Sequence, residues 1–194
     1  MWFYMPLMLC PVFRKGRKNF KKGQAYVIVC NHNSFVDVPA TVFAIPGASK
    51  SLAKLSIAKT PIWGIMYRVG SVLVDRDDPA SRKQSFVEMK EVLEMGVHML
   101  LYPEGTRNKT DQPLKSFYDG AFSLAIDTQQ PIMPTVLFNT RDILPVKSFF
   151  AWPQRIDIHF LEPVETTGLT QDDLPALKEK IFNLMWDHIK AHQN

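Results

Sequence analysis

The sequence predicts an α/β fold, a mixed and mainly parallel central sheet flanked by helices. Three observations predict it. Short apolar runs such as Ala25 to Cys30, Val97 to Tyr102 and Ile132 to Phe138 have the length and β-branched content of buried strands. Segments with helical spacing of apolar residues stand between them, as in Ala80 to Met95. The two kinds alternate along the chain, which joins strands by crossovers and makes them parallel, covered on both faces. With 194 residues, 46% hydrophobic and 22% charged, the chain supports one sizeable core, and its composition excludes disorder.

The elements follow in order. Ala25 to Cys30 is a buried strand that ends in Asn31-His32-Asn33-Ser34, a polar turn in which Asn33 or Ser34 is expected to cap the next helix. That helix covers Val36 to Ile45 and stops at Pro46-Gly47. Ser51 to Leu55 is a further strand, and Ile62 to Val69 a short helix ended by Gly70. Ser71 to Val74 is strand-like and runs into Asp75-Arg76. After the Ala80 to Met95 helix, Gly96 leads to Val97 to Tyr102 and then Pro103-Glu104-Gly105. Gly120 to Thr128 is a helix, Ile132 to Phe138 a strand, and Ile156 to Leu161 alternates as a strand near a sheet edge does. Asp172 to Ala191 closes the chain as an amphipathic helix with Leu177, Ile181, Leu184, Met185 and Ile189 inward.

The amino-terminal region is of a different kind. Met1 to Phe13 is uncharged and rich in aromatic residues, Leu and Met, and Arg14, Lys15, Arg17, Lys18, Lys21 and Lys22 follow it closely. As a helix the apolar part reaches about 20 Å, short of the roughly 30 Å hydrocarbon core. The basic residues follow the apolar ones, the reverse of a signal peptide. Residues 1–22 are therefore expected to form a membrane-associating segment on an anionic, cytoplasmic surface, and residues 23–194 the folded domain. A basic run alone would read better as a solvated loop; the apolar stretch before it reverses that. The net charge of +4 does not point to nucleic acid. Cys10 and Cys30 are the only cysteines, too few for a disulfide framework and suited to a reducing compartment.

Three polar clusters, at His32, Arg76 and Glu104, directly follow apolar strands, and sites in such sheets lie beyond the strand carboxyl ends. If His32 lies in the turn and Asp37 in the first turns of the helix, the carboxylate can reach back and hold one ring nitrogen, leaving the other as a base. On spacing alone a structural hydrogen bond explains the pair better. Gly105 permits a positive φ, Arg107 offers a planar fork for a phosphate, and Glu104 could hold that fork or a substrate hydroxyl. Arg76 is a second phosphate contact or a surface ion pair with Asp75, Asp77 or Asp78, and Lys54 a weaker candidate. There is no Gly-x-Ser-x-Gly elbow, no Walker loop and no dinucleotide fingerprint, and no His or Cys pair reads as a zinc-ligand pair.

Four segments resemble one family. Asn31 to Asp37 is similar to the NHxSxxD block of the glycerolipid acyltransferases, and Gly70 to Arg76 to the second block, a glycine, an apolar strand and an arginine. Tyr102-Pro103-Glu104-Gly105-Thr106-Arg107 resembles the FPEGTRS block, with Tyr102 for Phe and Asn108 for Ser. Pro131 to Val136 is similar to the fourth, proline-bearing block. Order and spacing match, and the bacterial 1-acylglycerol-3-phosphate acyltransferases are the most similar branch.

The resemblance implies that residues 23–194 form an acyltransferase domain. In it His32 and Asp37 would be the catalytic pair, and Arg76, Glu104, Gly105, Thr106, Arg107 and Lys54 would bind substrate. Transfer would be direct from acyl-CoA or acyl carrier protein to lysophosphatidic acid, with no covalent enzyme intermediate, no cofactor and no metal. Asn108 leaves the acceptor headgroup open, so another lysophospholipid or a lyso-ornithine lipid is an alternative acceptor. Hydrolysis at the same pair and a non-enzymatic lipid-binding module are alternative activities.

Overall fold

The computed structural model describes residues 10–60, 63–143 and 152–192. Along the chain the strands are β1 (Val12–Lys15), β2 (Val27–Cys30), β3 (Ser49–Lys54), β4 (Ser71–Val74), β5 (His98–Leu101), β6 (Ile132–Phe138) and β7 (Ile156–Phe160). The helices are α1 (Asp37–Ala44), α2 (Trp63–Gly70), α3 (Pro79–Glu94), α4 (Gly120–Thr128), α5 (Thr140–Ile143) and α6 (Leu174–His192).

The strands make one sheet in the order β1-β7-β6-β2-β5-β3-β4. From β6 to β4 every pairing is parallel; β7 runs antiparallel to β6, and β1 parallel to β7. This is the α/β architecture read from the sequence, and β2, which carries His32 just beyond its end, is its middle strand.

Alternation along β2 splits the core in two. Val27 and Val29 pack into a layer with the inward faces of α3, α4 and α6, while Ile28 and Cys30 pack with α1 on the other face. All four are fully buried, and each large aliphatic so buried contributes about 1.5–3 kcal/mol. In α6, Leu177, Ile181, Met185 and Ile189 are buried as expected, but Leu184 sits at the rim of the stripe and is 42% exposed. Helix α3 begins at Pro79 because the Asp78 carboxylate caps it, accepting from Ala80 N–H and Ser81 N–H.

Two expectations need correction. Helix α1 is capped at Val36 with no side-chain bond, not at Asn33 or Ser34. Asp37 takes the backbone amides of those two residues, so the turn is closed from inside the helix. The boundary expected at residue 22 also fails as a structural division. Val12 to Lys15 is a strand of the domain sheet, and Asn19 donates its side-chain amide to the carbonyls of Phe160 and Leu161. Residues 1–9 of the expected segment lie outside the described residues. Ile156 to Phe160 lies near the sheet edge as expected, one place in, with β1 outside it. Among the described residues, no helix is long and apolar enough to cross a membrane.

Candidate active site

Asn31 fixes where the site begins. Its side chain accepts from Leu137 N–H at 2.7 Å and donates to Leu137 C=O at 3.0 Å, so it continues the β2–β6 ladder one residue past the strand. His32 follows with both backbone groups held by the 104–108 loop. Its N–H donates to Glu104 Oε1 at 2.8 Å, and its C=O accepts from Asn108 N–H at 2.6 Å.

The ring is fixed as firmly. His32 Nδ1 lies 2.8 Å from Asp37 Oδ2, which also accepts from Asn33 N–H at 2.6 Å and Ser34 N–H at 2.7 Å. Asp37 is fully buried, while the His32 side chain keeps 18% of its surface open. An ionised carboxylate only accepts, so the bond places the ring proton on Nδ1 and a lone pair on Nε2. Tyr102 packs its ring against the imidazole with centroids 4.4 Å apart. Burial raises the Tyr102 phenol well above its usual range, so it stays protonated.

Glu104 is buried and does not hold Arg107. Its second oxygen accepts from Lys115 N–H at 3.0 Å, so the carboxylate ties two chain segments together. Burial raises its pKa, and the bonds from His32 and Lys115 pull it part of the way back. Gly105 has φ +70°, and a Cβ there would come within 2.7 Å of Tyr118. Its carbonyl accepts from the Arg76 guanidinium, which ties the end of β4 to this loop. Arg76 makes no ion pair with Asp75, Asp77 or Asp78 among the described residues. The Arg107 guanidinium lies 3.6 Å over the Phe35 ring, and the Thr106 hydroxyl accepts from Lys115 Nζ at 2.8 Å.

These residues surround a cleft of about 700 Å³ at the carboxyl ends of β2, β3, β4 and β5. His32, Lys54, Arg76, Gly105, Thr106 and Arg107 all line it. Among the described residues five cations face it, namely Lys54, Arg76, Arg107, Lys109 and Lys115, and no carboxylate lines it. Phe35, Val38, Leu52, Ile57 and Leu101 supply an apolar wall.

The Acyltransferase family model matches residues 12–137, well over half of the chain. The chain belongs to the acyltransferase family. Among its relatives is the 1-acyl-sn-glycerol-3-phosphate acyltransferase alpha of Mus musculus, 32% identical over 174 residues, covering 88% of this chain and 61% of that one. The 1-acyl-sn-glycerol-3-phosphate acyltransferase of Cocos nucifera is 29% identical over 169 residues, covering 86% of this chain and 54% of that one. The chain thus spans roughly three fifths of the length of the curated relatives it matches. The crystal structure of the 1-acyl-sn-glycerophosphate acyltransferase PlsC from Thermotoga maritima superposes with a TM-score of 0.77 at 23% identity, over 95% of this chain and 74% of that one, and so shares the fold.

Lys109, Lys115 and Phe35 are parts of the cleft that the sequence did not single out. Lys115 is eleven residues beyond Glu104, in a loop without periodicity, and its bonds to Glu104 and Thr106 bring it back. The family comparison in sequence makes Asn108 a residue expected to bear on the acceptor. Its side chain is buried and bonded to Gln112 C=O, Thr110 N–H and the Thr110 hydroxyl, so it shapes the loop and does not line the cleft.

Proposed function

We propose that this acyltransferase moves a fatty acyl group from acyl-CoA or acyl carrier protein to the sn-2 hydroxyl of lysophosphatidic acid, giving phosphatidic acid. The observation that carries the reading is one cleft with an oriented imidazole beside five cations and no lining carboxylate. Such a cluster suits a phosphate, and the arginine forks match its oxygens. The relatives named for 1-acyl-sn-glycerol-3-phosphate support the same acceptor.

His32 Nε2 takes the proton of the acceptor hydroxyl as its oxygen attacks the thioester carbonyl. The C–O bond forms, the tetrahedral intermediate collapses, the C–S bond breaks, and the proton passes from His32 to the leaving thiolate. Asp37 holds Nδ1–H throughout and stabilises the imidazolium that forms between the two transfers. The acyl donor is a co-substrate, and no cofactor enters these steps. Arg107, with Arg76 and Lys54, binds the phosphate; Gly105 and Thr106 shape that side of the cleft. We further propose that the enzyme works on the cytoplasmic face of an anionic membrane, engaged through residues 1–22.

His32→Ala and Asp37→Ala are expected to abolish thioester-dependent transfer while circular dichroism stays native; full activity in folded His32→Ala would refute the assignment. Arg107→Ala is expected to raise KM for lysophosphatidic acid at least about tenfold. It should raise KM much less for a lyso-lipid with an uncharged head. Equal losses on both acceptors, or preferred turnover of a lyso-ornithine lipid in a panel, would move the acceptor elsewhere within the same chemistry.

A further inference from the structure

Away from the cleft, three histidines from two elements meet against the sheet. We propose that His159, His188 and His192 form a binding site for one divalent transition-metal ion, with Zn²⁺ the best match.

One ring nitrogen from each histidine lies within 4.8 Å of the other two. His188 and His192 are one helical turn apart on α6 and continue its inward stripe, while His159 points at them from β7. The expectation of no zinc-ligand pair fails here because the third histidine stands 29 residues from His188 and only the packing of α6 on β7 brings it in. His159 Nδ1 and His188 Nε2 are 2.8 Å apart. On a tetrahedral ion with Zn–N bonds of about 2.0–2.1 Å, two nitrogens stand roughly 3.3 Å apart, so small ring rotations admit the ion. His192 Nδ1 donates to the His188 carbonyl at 2.8 Å, which leaves Nε2 with the lone pair and supplies the outer-sphere bond that ligating imidazoles use.

The surroundings are consistent with imidazole ligation. Burial, with Lys15 and the other two rings adding, pushes His159 down to about 4, and burial also lowers His188, so both are neutral at pH 7. The hydrogen now shared between His159 and His188 moves to the far nitrogen of its own ring, so binding needs no net proton loss. Phe138 packs beside all three rings, at centroid distances of 5.0, 6.2 and 5.8 Å. Lys15, the register partner of His159, opposes a cation, whereas Asp157 on the same face of β7 favours one. His192 also lines a second cleft of about 270 Å³, which gives water access to a fourth coordination position. A bound ion would join the end of α6 to the β7 side of the sheet.

The test is calorimetric titration of the full chain with Zn²⁺ at pH 7.5 in a non-coordinating buffer, repeated with Co²⁺ for its visible spectrum. One ion per chain, intense tetrahedral Co²⁺ bands and a raised Tm are expected. His188→Ala and His192→Ala, changes at half-buried and exposed positions, are each expected to weaken binding at least about tenfold, and His32→Ala to leave it unchanged. No saturable binding, an unaltered isotherm in His192→Ala, or loss in His32→Ala would overturn the proposal. Because the readout is binding, it stands or falls independently of the acyl-transfer reading.

Discussion

Glu104 acts on the backbone of the site and not on its ligands. One oxygen holds the amide of His32 and the other that of Lys115, and the side chain is 1% exposed. Glu104→Gln keeps the shape but turns an amide NH₂ toward one of these two donors. A buried donor then loses its acceptor, at about 1–3 kcal/mol. Denaturant unfolding should report that loss, together with a kcat reduced about tenfold or more as the imidazole is freed from its register. Lost activity at unchanged stability would instead mean that the carboxylate touches substrate. His98 gives a second residue-scale expectation. Its Nδ1 accepts from Tyr26 N–H at 3.1 Å, so Nε2 carries the proton and donates to Pro46 C=O at 3.1 Å. Burial lowers its pKa from 6.5, and the Pro46 bond restores part of the shift. The unfolded chain therefore binds more protons near that value, so the stability from the neutral ring is complete above about pH 6.5 and declines below it. A His98 midpoint at or above 6.5 in an NMR titration would contradict this.

At the scale of elements, β1 shows what a local pattern leaves out. Val12 to Lys15 is half-buried at one residue and exposed at three, so it carries no strand alternation. The backbone ladder of β7 recruits it, and that partner lies more than a hundred residues away. The central strands were legible because they are buried on both faces and read as continuous apolar runs. Likewise His32 and Asp37 could be read from one short block, whereas Lys109 and Lys115 depend on a loop path set by the Glu104 bridge and the Asn108 turn. The join from β1 to the short helix at Arg17–Asn19 rests on Gly16, with φ +76° and a virtual Cβ 1.9 Å from the Phe160 carbonyl oxygen. Gly16→Ala must move backbone, at about 2 kcal/mol or more. Hydrogen exchange is expected to quicken in residues 12–19 while β2, β5 and β6 keep their protection. Uniform loss across the sheet would show that β1 is part of the cooperative core.

For the whole molecule, strand direction decides where the proposed membrane contact can be made. The cleft opens at the carboxyl ends of the parallel strands. Strand β1 runs the other way, with Val12 level with Ile156 near the cleft end, and the chain then descends to Lys21, whose amide donates to the Tyr26 hydroxyl just ahead of β2. Arg17 to Lys22 therefore lie beyond the opposite end of β1 from Val12. Arg17, Lys18, Lys21 and Lys22 are exposed toward the end of the sheet away from the cleft, while Phe35, at the cleft, is 56% exposed. Each of these charges held near an anionic surface would contribute about 1 kcal/mol, screened by salt. Replacing all four by Gln is expected to weaken flotation with phosphatidylserine vesicles and to flatten its salt dependence. Turnover of a short-chain, micellar lysophosphatidic acid should be unchanged, because none of the four lines the cleft. If the quadruple variant instead bound vesicles as tightly as the parent at low salt, the anionic contact would belong to the cleft cations, and the lipid would meet the enzyme through its active site alone.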